Sequence, residues 1–311
     1  MSHIFLGIDT SNYTTSVAIT DCDGNVLSDK RRLLEVKEGA RGLRQSDALF
    51  LHIKNLPELI VSLDVDMKNI SAVGASFAPR NVQGSYMPVF LGGKGAGKMI
   101  AKTLSVPCYE FSHQEGHIRA GLYQTDCDEN EFYSVHMSGG TTEILKVKRD
   151  GVSFETEIVG KTLDISAGQL IDRIGVKLGL DFPCGKALDE LCAEGSKIKT
   201  PSVCIKGSEM NFSGTETHFF RLIESGVPTP EIAYLAFSAI ADALIKSILH
   251  IFKVFGRKRV LFVGGVASNS LIRNKIENAL CGDALFSMRE YSTDNAVGIS
   301  LLAGEMFKRS L

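Results

Sequence analysis

Two histidines four residues apart, His113 and His117, open the chemistry this sequence offers. On a helix, positions i and i+4 share a face, so both imidazoles can reach one metal ion. Neutral imidazole suits iron, zinc and other borderline cations. The stretch is His113-Gln114-Glu115-Gly116-His117, with Gln114 where a zinc protease would carry its general-base glutamate. A two-histidine site needs a third ligand, and Asp294, in Ser292-Thr293-Asp294-Asn295-Ala296, is the candidate. The same segment also reads as the start of the closing helix, with Thr293 or Asp294 as its N-cap. As a ligand, Asp294 would complete a set of three protein donors and leave positions open for water or substrate.

A second chemistry lies in two strand–turn–strand units. Ile4-Phe5-Leu6-Gly7-Ile8 leads into the hydroxyl-rich Asp9-Thr10-Ser11-Asn12-Tyr13-Thr14-Thr15 and returns as Ser16-Val17-Ala18-Ile19-Thr20. Tyr133 to Met137 leads into Ser138-Gly139-Gly140-Thr141-Thr142 and returns through Glu143 to Val147. Asp23-Gly24 and Asp150-Gly151 then mark the next tight turns. Backbone N–H groups and small hydroxyls at such turns can wrap phosphate oxygens, because glycine allows close approach. Two such units at matching places favour an ATP-binding α/β fold with a cleft between two similar halves. Val263-Gly264-Gly265-Val266-Ala267-Ser268-Asn269 adds a strand ending in paired glycines before a helix, where an adenosine or phosphate could dock. Gly92-Gly93-Lys94-Gly95-Ala96-Gly97-Lys98-Met99 nearly fits a P-loop, but Met99 stands where the magnesium-binding hydroxyl is required, and close helix packing is the expectation there.

The elements that must position these residues follow from periodicity. Helices are expected at 45–63 (Leu49, Ile53, Leu56 and Ile60 on one face), 88–104, 161–179 (Leu163, Ala167, Leu170, Ile174 and Leu178), 231–255 and 294–308. Strands are expected at 70–77, 106–109 and 259–263. The chain has 311 residues, 44% hydrophobic and 23% charged, with a net charge of -2, so a globally basic nucleic-acid binder is not indicated. Arg31-Arg32, Lys37 and Arg41 to Arg44 supply one local basic candidate. Seven cysteines without a CxxC pair read as free thiols of a reducing compartment. The first residues lack the basic flank and cleavage site of a signal peptide, and the 231–255 segment carries Asp242, Lys246 and His250, so a cytoplasmic protein is expected.

Taken in order, these motifs resemble the universal tRNA threonylcarbamoyladenosine transferases (TsaD in bacteria, formerly called O-sialoglycoprotein endopeptidases). The resemblance runs through Gly7-Ile8-Asp9-Thr10-Ser11, His113/His117, Ser138-Gly139-Gly140, Lys161 to Gln169, Asp172 and Leu178 to Pro183. It continues through Phe212-Ser213-Gly214, Gly264 to Asn269, and Thr293 to Ala296. It implies a duplicated actin-like ATPase (ASKHA) fold, with an N-terminal domain of residues 1–110 completed by about 295–311, and a C-terminal domain of 111–294 with a helical insertion. The implied activity is transfer of a threonylcarbamoyl group from its adenylate to N6 of the adenosine next to the tRNA anticodon. Under the resemblance His113, His117 and Asp294 would hold one divalent metal, Fe2+ or Zn2+. His136, Met137, Ser138, Gly139 and Gly140 would flank the adenylate's phosphate, and Asp172, Gly185, Asp189 and Asn269 its ribose and adenine side. Its implied partners are tRNA and, in bacteria, a smaller inactive actin-like paralogue (TsaB-like) and a separate ATPase (TsaE-like). The chain departs from the family pattern at Asp9 (usually glutamate), at Ala78-Pro79-Arg80, at Thr141 (usually histidine), at Cys184 and Lys186, and at Glu216, which reverses a charge. Those changes leave two further readings open: an actin-like enzyme with another acceptor, or a non-catalytic paralogue in a tRNA-modification complex.

Overall fold

The computed structural model describes residues 3–11, 13–35 and 43–311. Asn12, Lys37 and Arg41, named above, lie outside the described residues. The described residues form two units: those up to Gln124 with Arg149–Phe154 and Asp294–Leu311, and Thr125–Lys148 with Glu155–Thr293.

The first unit contains β1 (Ile4–Thr10), β2 (Thr14–Asp21), β3 (Val26–Leu33), α1 (Gln45–Val61), β4 (Ile70–Ala78), α2 (Phe90–Leu104), β5 (Cys108–Ser112) and α3 (His113–Gly121). Its sheet has the order β3-β2-β1-β4-β5, with β1, β2 and β3 antiparallel and β4 and β5 added in parallel. Apart from Arg149–Phe154, where β7 ends and β8 begins, the second unit contains β6 (Glu131–Met137), β7 (Thr142–Asp150), β8 (Ser153–Thr162), α4 (Ala167–Lys177), α5 (Gly185–Glu190), β9 (Cys204–Lys206), β10 (Glu209–Asn211), α6 (Ser213–Glu224), α7 (Thr229–Phe255), β11 (Val260–Val263), α8 (Ser270–Leu280) and β12 (Ala284–Phe286). The closing helix α9 (Val297–Arg309) returns to the first unit. The second sheet runs β12-β11-β6-β7-β8-β10-β9. Stripped of the small β9–β10 hairpin, its order repeats that of the first sheet: an antiparallel hairpin (β6–β7) inside, its third strand on one side, and two parallel strands on the other. This shared order is the duplication that the two sequence hairpins foreshadow.

Strand β1 is buried along its whole length because helices cover both of its faces. Leu6 and Ile8 belong to the core under α1 and α2, and Phe5 and Gly7 meet α9. A Cβ on Gly7 would lie 2.4 Å from the Ala296 carbonyl oxygen, so only glycine admits the helix there. The near-P-loop glycines sit inside α2, where Gly93 meets Thr10 and Gly97 meets Ala75, which is helix-on-sheet packing. Helix α7 is long and apolar enough by composition to cross a membrane, yet its apolar stretch is 72% buried as the core helix of the second unit.

Two expectations are corrected. Residues 161–165 continue β8 and a loop, and the helix begins only at Ala167, capped by Ser166 in a capping box with Gln169; Leu163 is exposed. In α1 the inward face is Ala48, His52, Asn55, Leu56 and Leu59, which turns Ile53 outward. The first unit runs on through α3 to Gln124, and α3 packs on α9: a Cβ on Gly298 would lie 1.9 Å from the Gly116 carbonyl oxygen.

Candidate metal centre and nucleotide subsite

Strand β5 ends at Ser112, and α3 starts on the next residue under a capping box: Ser112 Oγ accepts from Glu115 N (3.2 Å), and Glu115 Oε2 accepts from Ser112 N (2.7 Å). Ser153 donates a further hydrogen bond to Glu115. This cap fixes His113 in the first turn and His117 one turn on, with ring centroids 4.4 Å apart. Asp294 reaches them from the residues just ahead of α9. Asn295 Oδ1 accepts from Val297 N (3.0 Å) at the start of that helix, which leaves the Asp294 carboxylate to other partners. Asp294 Oδ1 lies 3.1 Å from His117 Nε2 and 3.6 Å from His113 Nε2. One donor atom from each of the three residues falls within 4.8 Å of the others.

Neighbouring groups orient these donors. His113 Nδ1 lies 3.0 Å from Asp9 Oδ1, so its N–H is given to Asp9 and Nε2 is turned towards Asp294. Ser11 Oγ donates to Asp294 Oδ2 at 2.7 Å, which leaves Oδ1 facing the imidazoles. Asp9 is fully buried, and among the described residues its Oδ2 has no hydrogen-bond partner. Burial disfavours charge on His113, but the Asp9 and Asp294 carboxylates outweigh it and raise its pKa to about 10. Burial also opposes charge on Asp294, yet the hydrogen bonds of His113 and His117 hold it well below the ordinary carboxylate range. As ligands both imidazoles would have to give up their Nε2 protons, and a divalent cation would take over the pairing with the carboxylates that His113 provides here. The orphaned Asp9 oxygen and the mixed nitrogen–oxygen donor set therefore fit a borderline dication.

The nucleotide candidates all lie in the second unit and form a closed circuit of contacts. The 138–141 turn is pinned by α4: Ser166 Oγ donates to the Gly139 carbonyl (2.9 Å), and a Cβ on Gly168 would meet Ser138 O at 2.5 Å. Further along α4, Asp172 Oδ1 accepts from Cys184 N (2.9 Å) at the head of α5, beside Gly185. Asp189 on α5 accepts from Asn269 Nδ2 (2.5 Å), and Asn269 Oδ1 caps α8 by accepting from Ile272 N (2.9 Å). Gly264, at φ 97°, closes the circuit, since a Cβ there would lie 2.1 Å from the Met137 carbonyl oxygen. His136 is the residue before Met137 at the end of β6. Among the described residues nothing lies within 4 Å of a Cβ built on Gly139, Gly140 or Gly185, so their backbones border open space. Burial raises the carboxyl pKa of Asp172, and that of Asp189 against the opposing effects of Arg289 and Asn269.

Sequence reasoning missed the tasks of Ser11, Asp9 and Asn269. Ser11, read as a phosphate-wrapping hydroxyl, is spent on Asp294, Asp9 on His113, and most of the Asn269 amide on Asp189 and α8. Of the departures, Thr141 donates its N–H to Ser138 Oγ (3.2 Å), Glu216 pairs with Arg173 (3.1 Å), and Cys184 packs where a Gly175 side chain would stand.

The repeated sheet order and the glycine-rich turn of the second unit define a class: a duplicated actin-like ATPase fold. A solved structure of component A of the Acidaminococcus fermentans (R)-2-hydroxyglutaryl-CoA dehydratase is similar to the chain with a TM-score of 0.61 at 14% identity, covering 98% of this chain and 99% of that one. The profile of the family described as tRNA N6-adenosine threonylcarbamoyltransferase matches residues 50–301. Relatives of that description from Thermosipho africanus and a Sulfurihydrogenibium species are 30% and 31% identical, over 99% and 98% of this chain and 96% and 91% of theirs. The chain belongs to the tRNA N6-adenosine threonylcarbamoyltransferase family.

Proposed function

We propose that this protein transfers a threonylcarbamoyl group from threonylcarbamoyl-adenylate to N6 of the adenosine next to the tRNA anticodon, with one divalent metal held by His113, His117 and Asp294. The observation that carries the reading is the meeting of these three donors in a chain of this family. In the reaction the N6 amine attacks the carbamoyl carbon, the bond from that carbon to the phosphate oxygen breaks, AMP leaves, and N6 loses a proton. A bound dication would supply Lewis-acid stabilisation of charge on the donor. The rest falls to the chain's own groups. Asp9 keeps the His113 Nδ1 proton in place, and Ser11 keeps Asp294 turned. The backbone of 138–140, beside His136 and Met137, would receive the phosphate on the side of Gly139 and Gly140 that faces open space. Asp172 and Asp189 would accept from ribose hydroxyls near Gly185. Asn269 would act mainly by holding Asp189, with one amide hydrogen left for the ligand.

A TsaB-like paralogue and a TsaE-like ATPase are the partners this reading requires, and the cytoplasm, where tRNA resides, is its location. Fe2+ and Zn2+ both suit the donor set. The experiment is incorporation of labelled threonine into tRNA by the purified chain with carbamoyl donor and partner proteins, beside an active family member. Incorporation lost in His117→Ala supports the reading; no incorporation by the intact chain removes it. AMP release that needs no tRNA would favour another acceptor, a reading to which the Glu216 charge reversal gives weight.

A further inference from the structure

A buried histidine outside the metal trio, His52 on α1, bears on how Asp294 is held. Its side chain is sealed from solvent, as is that of Thr15; Asn55 and Ser11 are 6% and 2% exposed. Five hydrogen bonds link these groups in one direction. Arg32 Nη1 donates to Asn55 Oδ1 (3.4 Å), and Asn55 Nδ2 donates to Thr15 Oγ1 (3.3 Å). Thr15 Oγ1 is 2.8 Å from His52 Nδ1, and His52 Nε2 is 2.7 Å from the Ser11 carbonyl oxygen. A carbonyl only accepts, so Nε2 carries the proton, Nδ1 is bare, and the Thr15 hydroxyl must donate to it. Ser11 Oγ then donates to Asp294 Oδ2 at 2.7 Å, with a long alternative to the Thr14 carbonyl at 3.5 Å. Every donor points towards the carboxylate, from a guanidinium at one end to an anion at the other.

From this geometry we infer that His52 is a positioning residue for the metal centre: by anchoring the Ser11 peptide it fixes which oxygen of Asp294 faces His113 and His117. The inference rests on the metal reading above. The neutral ring suits the task, since burial lowers the His52 pKa and keeps its single N–H on the Ser11 carbonyl. An imidazolium would lose the bond from Thr15. A filler of core space would need neither contact, and leucine would do as well. Without the anchor, the Ser11 hydroxyl would be free to turn to Thr14, and Asp294 to rotate both oxygens towards the imidazoles.

The test titrates Co(II) into the purified, metal-stripped chain by chelator competition, recording the visible bands of the bound ion and the thermal unfolding of each metal-free protein. Ser11→Ala and His52→Leu are expected to weaken Co(II) binding about 10- to 100-fold and to alter the bands, the range found when a ligand's supporting hydrogen bond is removed. His52→Gln, which keeps an N–H for the Ser11 carbonyl, is expected to stay within a few-fold of the intact chain. Unchanged affinity and bands in Ser11→Ala overturn the inference, as does a glutamine variant as weak as the leucine one. Should His52→Leu fail to fold, Ser11→Ala and His52→Gln decide alone: a weak Ser11→Ala with a near-normal glutamine variant supports the inference, and any other pattern overturns it. No Co(II) binding by the intact chain removes the metal reading and the role of His52 together, whereas binding that no variant alters removes the role alone.

Discussion

Gly298→Ala should damage both the first unit and the proposed metal centre. Gly298 lies in the first turn of α9, four residues after Asp294, and faces the turn of α3 that joins the two histidines. The added methyl would stand 1.9 Å from Gly116 O, 2.7 Å from Gly116 C and 2.9 Å from Ala120 N. All three obstacles are backbone, and side-chain Cβ atoms essentially never come within 3.0 Å of such atoms, so the helices must separate by about 1.1 Å. Overpacking a rigid core costs about 1–3 kcal/mol, and with no side chain able to yield the cost sits at the upper end, roughly a hundredfold in the folding equilibrium. Metal–ligand distances tolerate only about 0.2 Å, so the same displacement should lower Co(II) affinity at least tenfold. Gly116→Ala is the internal comparison: its methyl would first meet the tip of Ile299, 2.9 Å away at Cδ1, which can swing aside, so its loss should be smaller. Urea denaturation followed by circular dichroism suits a chain without tryptophan, and chelator competition gives the affinity. A Gly298→Ala protein with unaltered stability and Co(II) affinity would refute the helix-contact argument.

Gly95→Ala should do the reverse: it sits within α2 with nothing within 4 Å of the added methyl, so stability should rise by about 0.5–1 kcal/mol in the same urea experiment. Asp164 accepts from Phe212 N, Ser213 N and Ile165 N; although burial opposes its charge, these bonds hold its pKa below the ordinary 3.8. Its contribution is therefore complete above about pH 3.8 and disappears as pH falls through the lower native value, so Asp164→Ala should narrow the stability gap to wild type in acid titrations monitored by circular dichroism. Asn269→Ala removes the α8 cap and the donor to Asp189; about 1 kcal/mol of stability should go, and calorimetry should find weaker AMP binding. Zn2+ or Co(II) at a hundred times its dissociation constant should stabilise the chain by about 2.7 kcal/mol, an increment that His117→Ala abolishes in thermal melts.

What could be read in advance was what repeats locally. The hairpins, the Asp-Gly turns and the His113/His117 spacing carry their period in adjacent residues, and β1–β2, β6–β7 and α3 appear where those periods place them. Asp294 was accessible only as a motif, since 177 residues separate it from His117 and nothing in local pattern brings them together. The 161–165 error has a similar root: Leu163 falls in helical register with Ala167 and Leu170, but Lys161 and Thr162 are tied to the small β9–β10 hairpin by strand pairing. In α1 the apolar count favoured Ile53, whereas the buried face carries His52 and Asn55, polar residues that become satisfactory core only with Thr15 and Ser11 opposite. The glycine contacts of α9 were equally silent, because each needs a partner far away in the chain.

The place of α9 in the chain sets when the donor trio can exist. Asp294 and the helix behind it follow more than nine-tenths of the residues, yet they seat against the strand and helix made from the first 121. A ribosome reading this message releases both histidines long before their carboxylate partner emerges. Until then β1 has one bare flank, and a passing cation meets two imidazoles without Asp294. The donor trio therefore comes together only once the residues around Asp294 have joined the sheet and helix that precede them.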